Sequence, residues 1–170
     1  MAVFREAAAQ DAGLISHIYA TSWRRAYRGL IAQHYLDRLP EDYWVPSIRS
    51  WLESGRLEGL LVYEGKQPVG CAIFGRGRDE DHGSWGEIVS IYLLPEFTRR
   101  GLGSALMEEC LRRLRDEGYT RFYLWAIEGN TAADAFYRKH GFHVTGDHIA
   151  YAIGGENVRD LRYVRVEDQG

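Results

Sequence analysis

This sequence is short of the features that announce several protein classes. It has two cysteines, Cys71 and Cys110, each inside an apolar run. With no Cys-x-x-Cys and no cysteine–histidine cluster, neither a disulfide framework nor a zinc site is expected. The histidines form no ligand set: His140 and His143 flank a turn and His148 stands alone. All read as structural or surface residues, and no metal is expected. No apolar stretch approaches the ~20 residues of a membrane helix. Met1–Glu6 lacks the charged-then-apolar layout of a signal peptide. The expectation is a reduced, cytoplasmic protein with buried thiols. A formal charge of −3 argues against a nucleic-acid or membrane partner. Internal repeats, low-complexity tracts and obvious linkers are also lacking, so one domain over residues 1–170 is expected.

What is present suffices for a core. Hydrophobic residues make up 45% of the chain and charged residues 26%, a globular balance. Val3–Ala7 reads as a first strand. Asp11–Arg25 reads as a helix with Leu14, Ile15, Ile18, Tyr19 and Ser22 on one face. Gln33–Leu39 and Asp42–Glu53 are further helices. The period then changes to that of strands at Leu60–Tyr63 and Val69–Phe74, joined by a turn at Glu64–Gln67. A polar loop carrying Asp79-Glu80-Asp81 leads to Trp85–Leu94, apolar on both faces and therefore central. Leu102–Arg115 is an amphipathic helix with Leu102, Leu106, Cys110, Leu111 and Leu114 inward, ended by Gly118. Phe122–Ile127 is a strand, Thr131–His140 a helix capped by Asn130, and Phe142–Val144 and Asp160–Val166 are closing strands. This order predicts a mixed α/β sheet with helices on its faces, not a regular alternating parallel fold.

The sharpest local signal is Arg99-Arg100-Gly101-Leu102-Gly103-Ser104, between a buried strand and a strong helix. A helix start exposes unpaired N–H groups and the positive end of the macrodipole. Glycines let a diphosphate approach those donors, and the arginines add charge. No Gly-Lys-Ser/Thr follows, which excludes a Walker loop. A dinucleotide fingerprint is only partial, because Leu106 stands where its third glycine belongs. An ordinary strand-to-helix turn beside two surface arginines fits the hexapeptide equally well.

A longer comparison separates these readings. Glu87 to Leu106 resembles the acyl-CoA-binding motif of the GNAT N-acetyltransferases, Gln/Arg-x-x-Gly-x-Gly/Ala followed by a helix. Asn130 to Phe142 resembles that family's Asn-x-x-Ala-x-x-x-Tyr-x-x-x-Gly-Phe segment. The resemblance implies a single α/β (α+β) domain with a mixed, mostly antiparallel sheet of about seven strands and helices on both faces. It implies acetyl-CoA as cosubstrate, no metal, and a diphosphate seated on Thr98, Arg99, Arg100, Gly101, Leu102, Gly103 and Ser104. The pantetheine arm would pair with backbone at Ile91, Tyr92 and Leu93 in the manner of an added strand. Asn130 and Phe136 are implied as further cofactor contacts, Asn130 alongside its plain role as a cap. In the family a β-bulge splays the central strand from its neighbour after Trp125, which opens the wedge. Thr98 departs from the motif's usual Gln or Arg. Trp125 stands where family members that acetylate ribosomal-protein N-termini often carry glutamate, which weighs against that role.

Acetyl transfer needs a neutral amine, a donor for the developing oxyanion and a proton for the leaving thiolate. By the resemblance Glu87 is the candidate base, directly or through water, and Tyr137 the candidate acid. A solvent-facing strand residue and a core aromatic are the plainer readings of these two. The acceptor would be the amine of a small molecule or peptide. Its pocket would be built from the N-terminal helices, the loop before Glu87 and the C-terminal strands, with Trp23, Tyr27, Tyr35, Trp44 and Trp85 available to line it. Asp79-Glu80-Asp81 could draw in a cationic amine or be a solvated loop. A non-catalytic acyl-CoA sensor of the same fold remains the alternative, and many relatives pair as homodimers.

Overall fold

The computed structural model describes residues 2–167; the ends of the expected 1–170 domain lie outside them. A seven-stranded sheet runs in the order β1-β2-β3-β4-β5-β7-β6. Its strands are β1 (Ala2–Glu6), β2 (Glu58–Glu64), β3 (Gln67–Arg76), β4 (Gly86–Leu93), β5 (Arg121–Ile127), β6 (His143–Ile153) and β7 (Glu156–Val166). Every neighbouring pair is antiparallel except β4 and β5. That pair needs a crossover, and α4 (Leu102–Asp116) supplies it. The mixed, mostly antiparallel sheet matches the sequence reading.

Helices cover both faces. On one face α1 (Ala12–Ala26) and α3 (Val45–Ser54) bring Ile15, Ile18, Tyr19 and Ile48 against Leu61, Cys71 and Ile73. On the other, α4 buries the stripe Leu102, Leu106, Met107, Cys110, Leu111 and Leu114 against Leu60, Phe74, Phe122 and Leu124. Each of these side chains contributes roughly 1.5–3 kcal/mol by leaving water. The two short helices are α2 (Gln33–Arg38) and α5 (Thr131–Lys139). Asn130 caps α5, its Oδ1 accepting from the Ala133 N–H at 3.2 Å.

Two departures from the sequence reading matter. The closing strands are longer than Phe142–Val144 and Asp160–Val166: β6 and β7 form a hairpin of 11 residues each. β6 is an almost wholly exposed edge strand, so it lacks the apolar alternation that would announce it. The bulge is also elsewhere. β5 pairs with β7 without interruption from Arg121↔Val166 to Ile127↔Asp160, passing through Trp125. The register shift next to the β4–β5 seam falls in the β3–β4 ladder, where Ile73 faces Ser90 but Phe74 faces Ile88, which leaves Val89 as the extra residue in β4. A bulge bends its own strand, and β4 leaves β5 after only two pairs, Gly86↔Phe122 and Glu87↔Tyr123. Beyond them the two parallel strands open into a wedge.

Candidate active site

The open edge of β4 forms one wall of that wedge. Leu94 N–H donates to Val69 O at 2.8 Å, so strand alternation turns the backbone groups of Ile91 and Leu93 away from β3, toward the gap. Among the described residues the Leu93 carbonyl accepts a hydrogen bond from Ser22 Oγ at 2.8 Å. The Ile91 groups meet no partner strand there. The Tyr92 side chain turns toward α1 instead. The Trp23 indole N–H donates to its hydroxyl at 3.0 Å, and the Tyr27 hydroxyl lies 3.4 Å from it. Ile91 and Leu93 therefore offer backbone to the wedge, whereas the Tyr92 backbone faces β3 and its side chain closes an aromatic cluster beside the gap.

Past β4 the chain makes the turn that the sequence singled out. Arg99 has φ 62° and Gly101 φ 82°, both left-handed. An arginine held there is a strained conformation of the kind that gathers at ligand clamps. The result is a run of main-chain donors: among the described residues, the N–H groups of Arg99, Arg100, Gly101, Leu102, Gly103 and Ser104 meet no protein acceptor. The first intrahelical bond runs from Ala105 N to Gly101 O at 3.1 Å. Left-handed turns followed by a helix start form a nest for an anion. Gly103 is not demanded by packing, because an added Cβ would meet Phe136 at 3.4 Å and Leu93 at 3.5 Å, ordinary contact. It would, however, project into the gap between those two side chains.

The side chains around the turn have separate tasks. Thr98 Oγ1 donates to Pro95 O at 2.9 Å and so fastens the preceding turn. Arg100 Nη1 donates to Glu64 at 3.2 Å, and its guanidinium lies over Phe97. Ser104 Oγ is 3.0 Å from His140 Nε2, whose Nδ1 is 3.0 Å from Glu108. His140 is thus a buried bridge from the end of α5 to the start of α4, a task its sequence position beside a turn did not disclose.

Glu87 and Tyr137 differ sharply in setting. Glu87 is 1% exposed at the closed end of the β4–β5 seam. Arg78 Nε donates to its Oε1 at 3.0 Å and Arg78 Nη2 to its Oε2 at 2.9 Å. The Arg78 main-chain N–H and the Tyr123 hydroxyl also donate to Oε1, at 3.0 and 3.1 Å. The candidate base is therefore neither solvent-facing nor free: both oxygens are occupied, and this residue locks the β3–β4 loop to the sheet. The half-buried Tyr137 stacks near Phe136 and Tyr163. Its hydroxyl has no hydrogen-bond partner among the described residues, and burial raises its pKa, so the phenol keeps its proton.

The acidic triplet is not an open cation trap. Arg162 Nη2 lies 3.0 Å from Asp79 and 3.2 Å from Asp81, and its Nη1 lies 2.9 Å from Asp147. The Trp125 indole N–H donates to Asp79 at 2.8 Å. No group of metal-ligating side chains gathers among the described residues, and no described helix is long and apolar enough to cross a membrane.

Known proteins resemble this chain in sequence and in fold. The sequence model of the acetyltransferase (GNAT) family matches residues 15–142. An uncharacterized N-acetyltransferase of Bacillus subtilis is 34% identical over 136 residues, which is 76% of this chain and 74% of that protein. The paia N-acetyltransferase of Thermoplasma acidophilum, solved in complex with coenzyme A, superposes with a TM-score of 0.76 at 18% identity, covering 98% of this chain and 99% of that one. The yncA protein of Salmonella typhimurium, solved with acetyl-CoA, gives 0.72 at 21% identity, covering 99% and 95%. At these identities the two structures speak for the fold.

Proposed function

The chain belongs to the GNAT acetyltransferase family, and we propose that it transfers an acetyl group from acetyl-CoA to a primary amine. The observation that carries this reading is the run of unpartnered N–H groups from Arg99 to Ser104 at the foot of an open strand edge. Such a run suits a diphosphate without any metal. When bound, acetyl-CoA supplies the acetyl thioester. The Arg99–Ser104 amides hold its diphosphate, with the Arg99 guanidinium adding charge from the same turn. The Ile91 and Leu93 backbone groups pair with the amides of its arm. The same strand edge offers an N–H to the carbonyl oxygen as charge builds there. Tyr137, protonated and without a hydrogen-bond partner among the described residues, gives its proton to the departing sulfur.

The test is direct. Acetyl-CoA and CoA should raise the melting temperature while NAD does not; ligand at a hundred times Kd adds about 2.7 kcal/mol. A panel of primary amines should then release thiol from acetyl-CoA. Stabilisation by NAD alone overturns the reading. Stabilisation by acetyl-CoA with no thiol release from any amine would make the protein an acyl-CoA sensor.

A further inference from the structure

The chain is rich in arginine–carboxylate pairs, and they expose one exception. Among the described residues, each carboxylate that is not exposed faces an arginine: Glu87 has Arg78, Asp79 has Arg162, Asp134 has Arg138 and Glu167 has Arg115, with Asp11, Glu64 and Glu109 paired likewise. Asp160 has none. It is partly buried on β7, and its one hydrogen bond is accepted from the Tyr151 hydroxyl at 2.9 Å through Oδ1. The cations nearest in sequence are engaged elsewhere, Arg159 with Glu128 and Arg162 with Asp79, Asp81 and Asp147.

Its place in the sheet gives the vacancy meaning. Asp160 stands opposite Ile127, the last residue of β5, at the end where β5 and β4 have parted. Strand alternation puts it on the same face as Arg162, whose guanidinium lies over Trp125, and away from Leu161 and Tyr163, which pack toward α4. Ile127, directly across from it, packs with Trp23 and Tyr27, and the Tyr27 hydroxyl lies 3.4 Å from that of Tyr92. The orphan carboxylate and the aromatic cluster thus sit on one side of the seam's open end, and the Tyr137 phenol, stacked on Tyr163, on the other.

We propose that Asp160 is the site that receives the acceptor amine, binding its ammonium as the missing cation and removing its proton. This rests on the acetyltransferase reading above and replaces Glu87 in the role of base. In the reaction Asp160 takes one proton from R–NH3+. The nitrogen lone pair forms the C–N bond to the acetyl carbon as the C–S bond breaks. The sulfur takes the Tyr137 proton, and the phenolate recovers a proton from the nitrogen. The products are the N-acetylamine and the free thiol, and one proton passes from Asp160 to water.

Asp160→Asn keeps the shape and an acceptor for Tyr151. Titrations of n-butylamine, benzylamine and alanyl-alanine amide, each against its alcohol or N-acetyl counterpart, are run with and without CoA. We expect the wild type to prefer the amine, the variant to lose that preference by at least about tenfold, and CoA to stabilise both equally. Turnover with acetyl-CoA should fall by about a hundredfold or more. Desolvation pushes the Asp160 carboxyl up, so its ionised form burdens the fold above the ordinary carboxylate range, and the burden fades as pH falls through the raised value. The variant should therefore melt higher than wild type near neutral pH, with the gap closing in acid. Equal amine binding in both proteins, turnover within about threefold of wild type, or no wild-type preference for amines would overturn the proposal. Absence of CoA stabilisation in either protein would instead strike the cosubstrate reading, and amine binding would still decide the role of Asp160.

Discussion

The two ends of the β4–β5 seam are built from the same pair of strands and have opposite characters. At the closed end Gly86 and Glu87 pair with Phe122 and Tyr123, and every polar group of Glu87 is satisfied. A methyl on Gly86 would come within 3.1 Å of Leu114 and 3.2 Å of Phe122, so the bare backbone lets α4 close down on the sheet. A few residues on, past the extra Val89, the strand edge is open, and among the described residues Tyr137 has no hydrogen-bond partner and Asp160 no cation. One bulge divides a region that holds the fold from a region whose strand edge is left unpaired. A carboxylate's chemistry follows from the end at which it sits.

Substitutions can sharpen or break this division. The largest effect belongs to the closed end: Phe122→Ala should cost about 3–5 kcal/mol in chemical denaturation, since the ring is fully buried under α4. A loss below about 1 kcal/mol would mean that the closed end is not where stability resides. At the open end the pattern reverses. Tyr137→Phe should slow kcat about a hundredfold, near 2.7 kcal/mol, while the melting temperature and CoA affinity stay nearly unchanged. A variant with full rate removes Tyr137 as the acid. Glu87→Gln is the most discriminating change. It should lower stability by about 1–3 kcal/mol through weakened bonds to Arg78, yet leave kcat of the folded protein within about threefold. A large kcat loss with a steeper fall at low pH would restore Glu87 as the base. The smallest effect is at the cradle. Gly103→Ala should leave the fold as stable or slightly more so, and weaken CoA binding about tenfold, or 1.4 kcal/mol. Isothermal titration set beside thermal melts separates the two quantities.

Much of the fold was legible because it follows short-range rules. The α4 stripe, the Glu64–Gln67 turn and the Asn130 cap are local patterns, and they appear where the sequence puts them. β6 was legible only in its first residues because an exposed edge strand carries no alternating pattern. The bulge at Val89 was invisible because an extra β-branched residue in an apolar strand looks like more strand. The candidate site divides the same way. The Arg99–Ser104 turn declares itself through glycine and position. The fate of Glu87 depended on Arg78, whose loop folds back onto it. Asp160 is one acid in a strand of mixed residues, and its isolation emerges only once every other described carboxylate that is not exposed is seen facing an arginine.

The central claim is that backbone amides at the foot of the open end grip the cosubstrate. Residue-resolved amide hydrogen exchange with saturating CoA tests it most directly. The account predicts strong new protection at Arg99–Ser104 and at Ile91, with Glu87 and Phe122 unchanged because they are already closed. Protection spread elsewhere, with the Arg99–Ser104 amides exchanging as fast as in the unliganded protein, would contradict it.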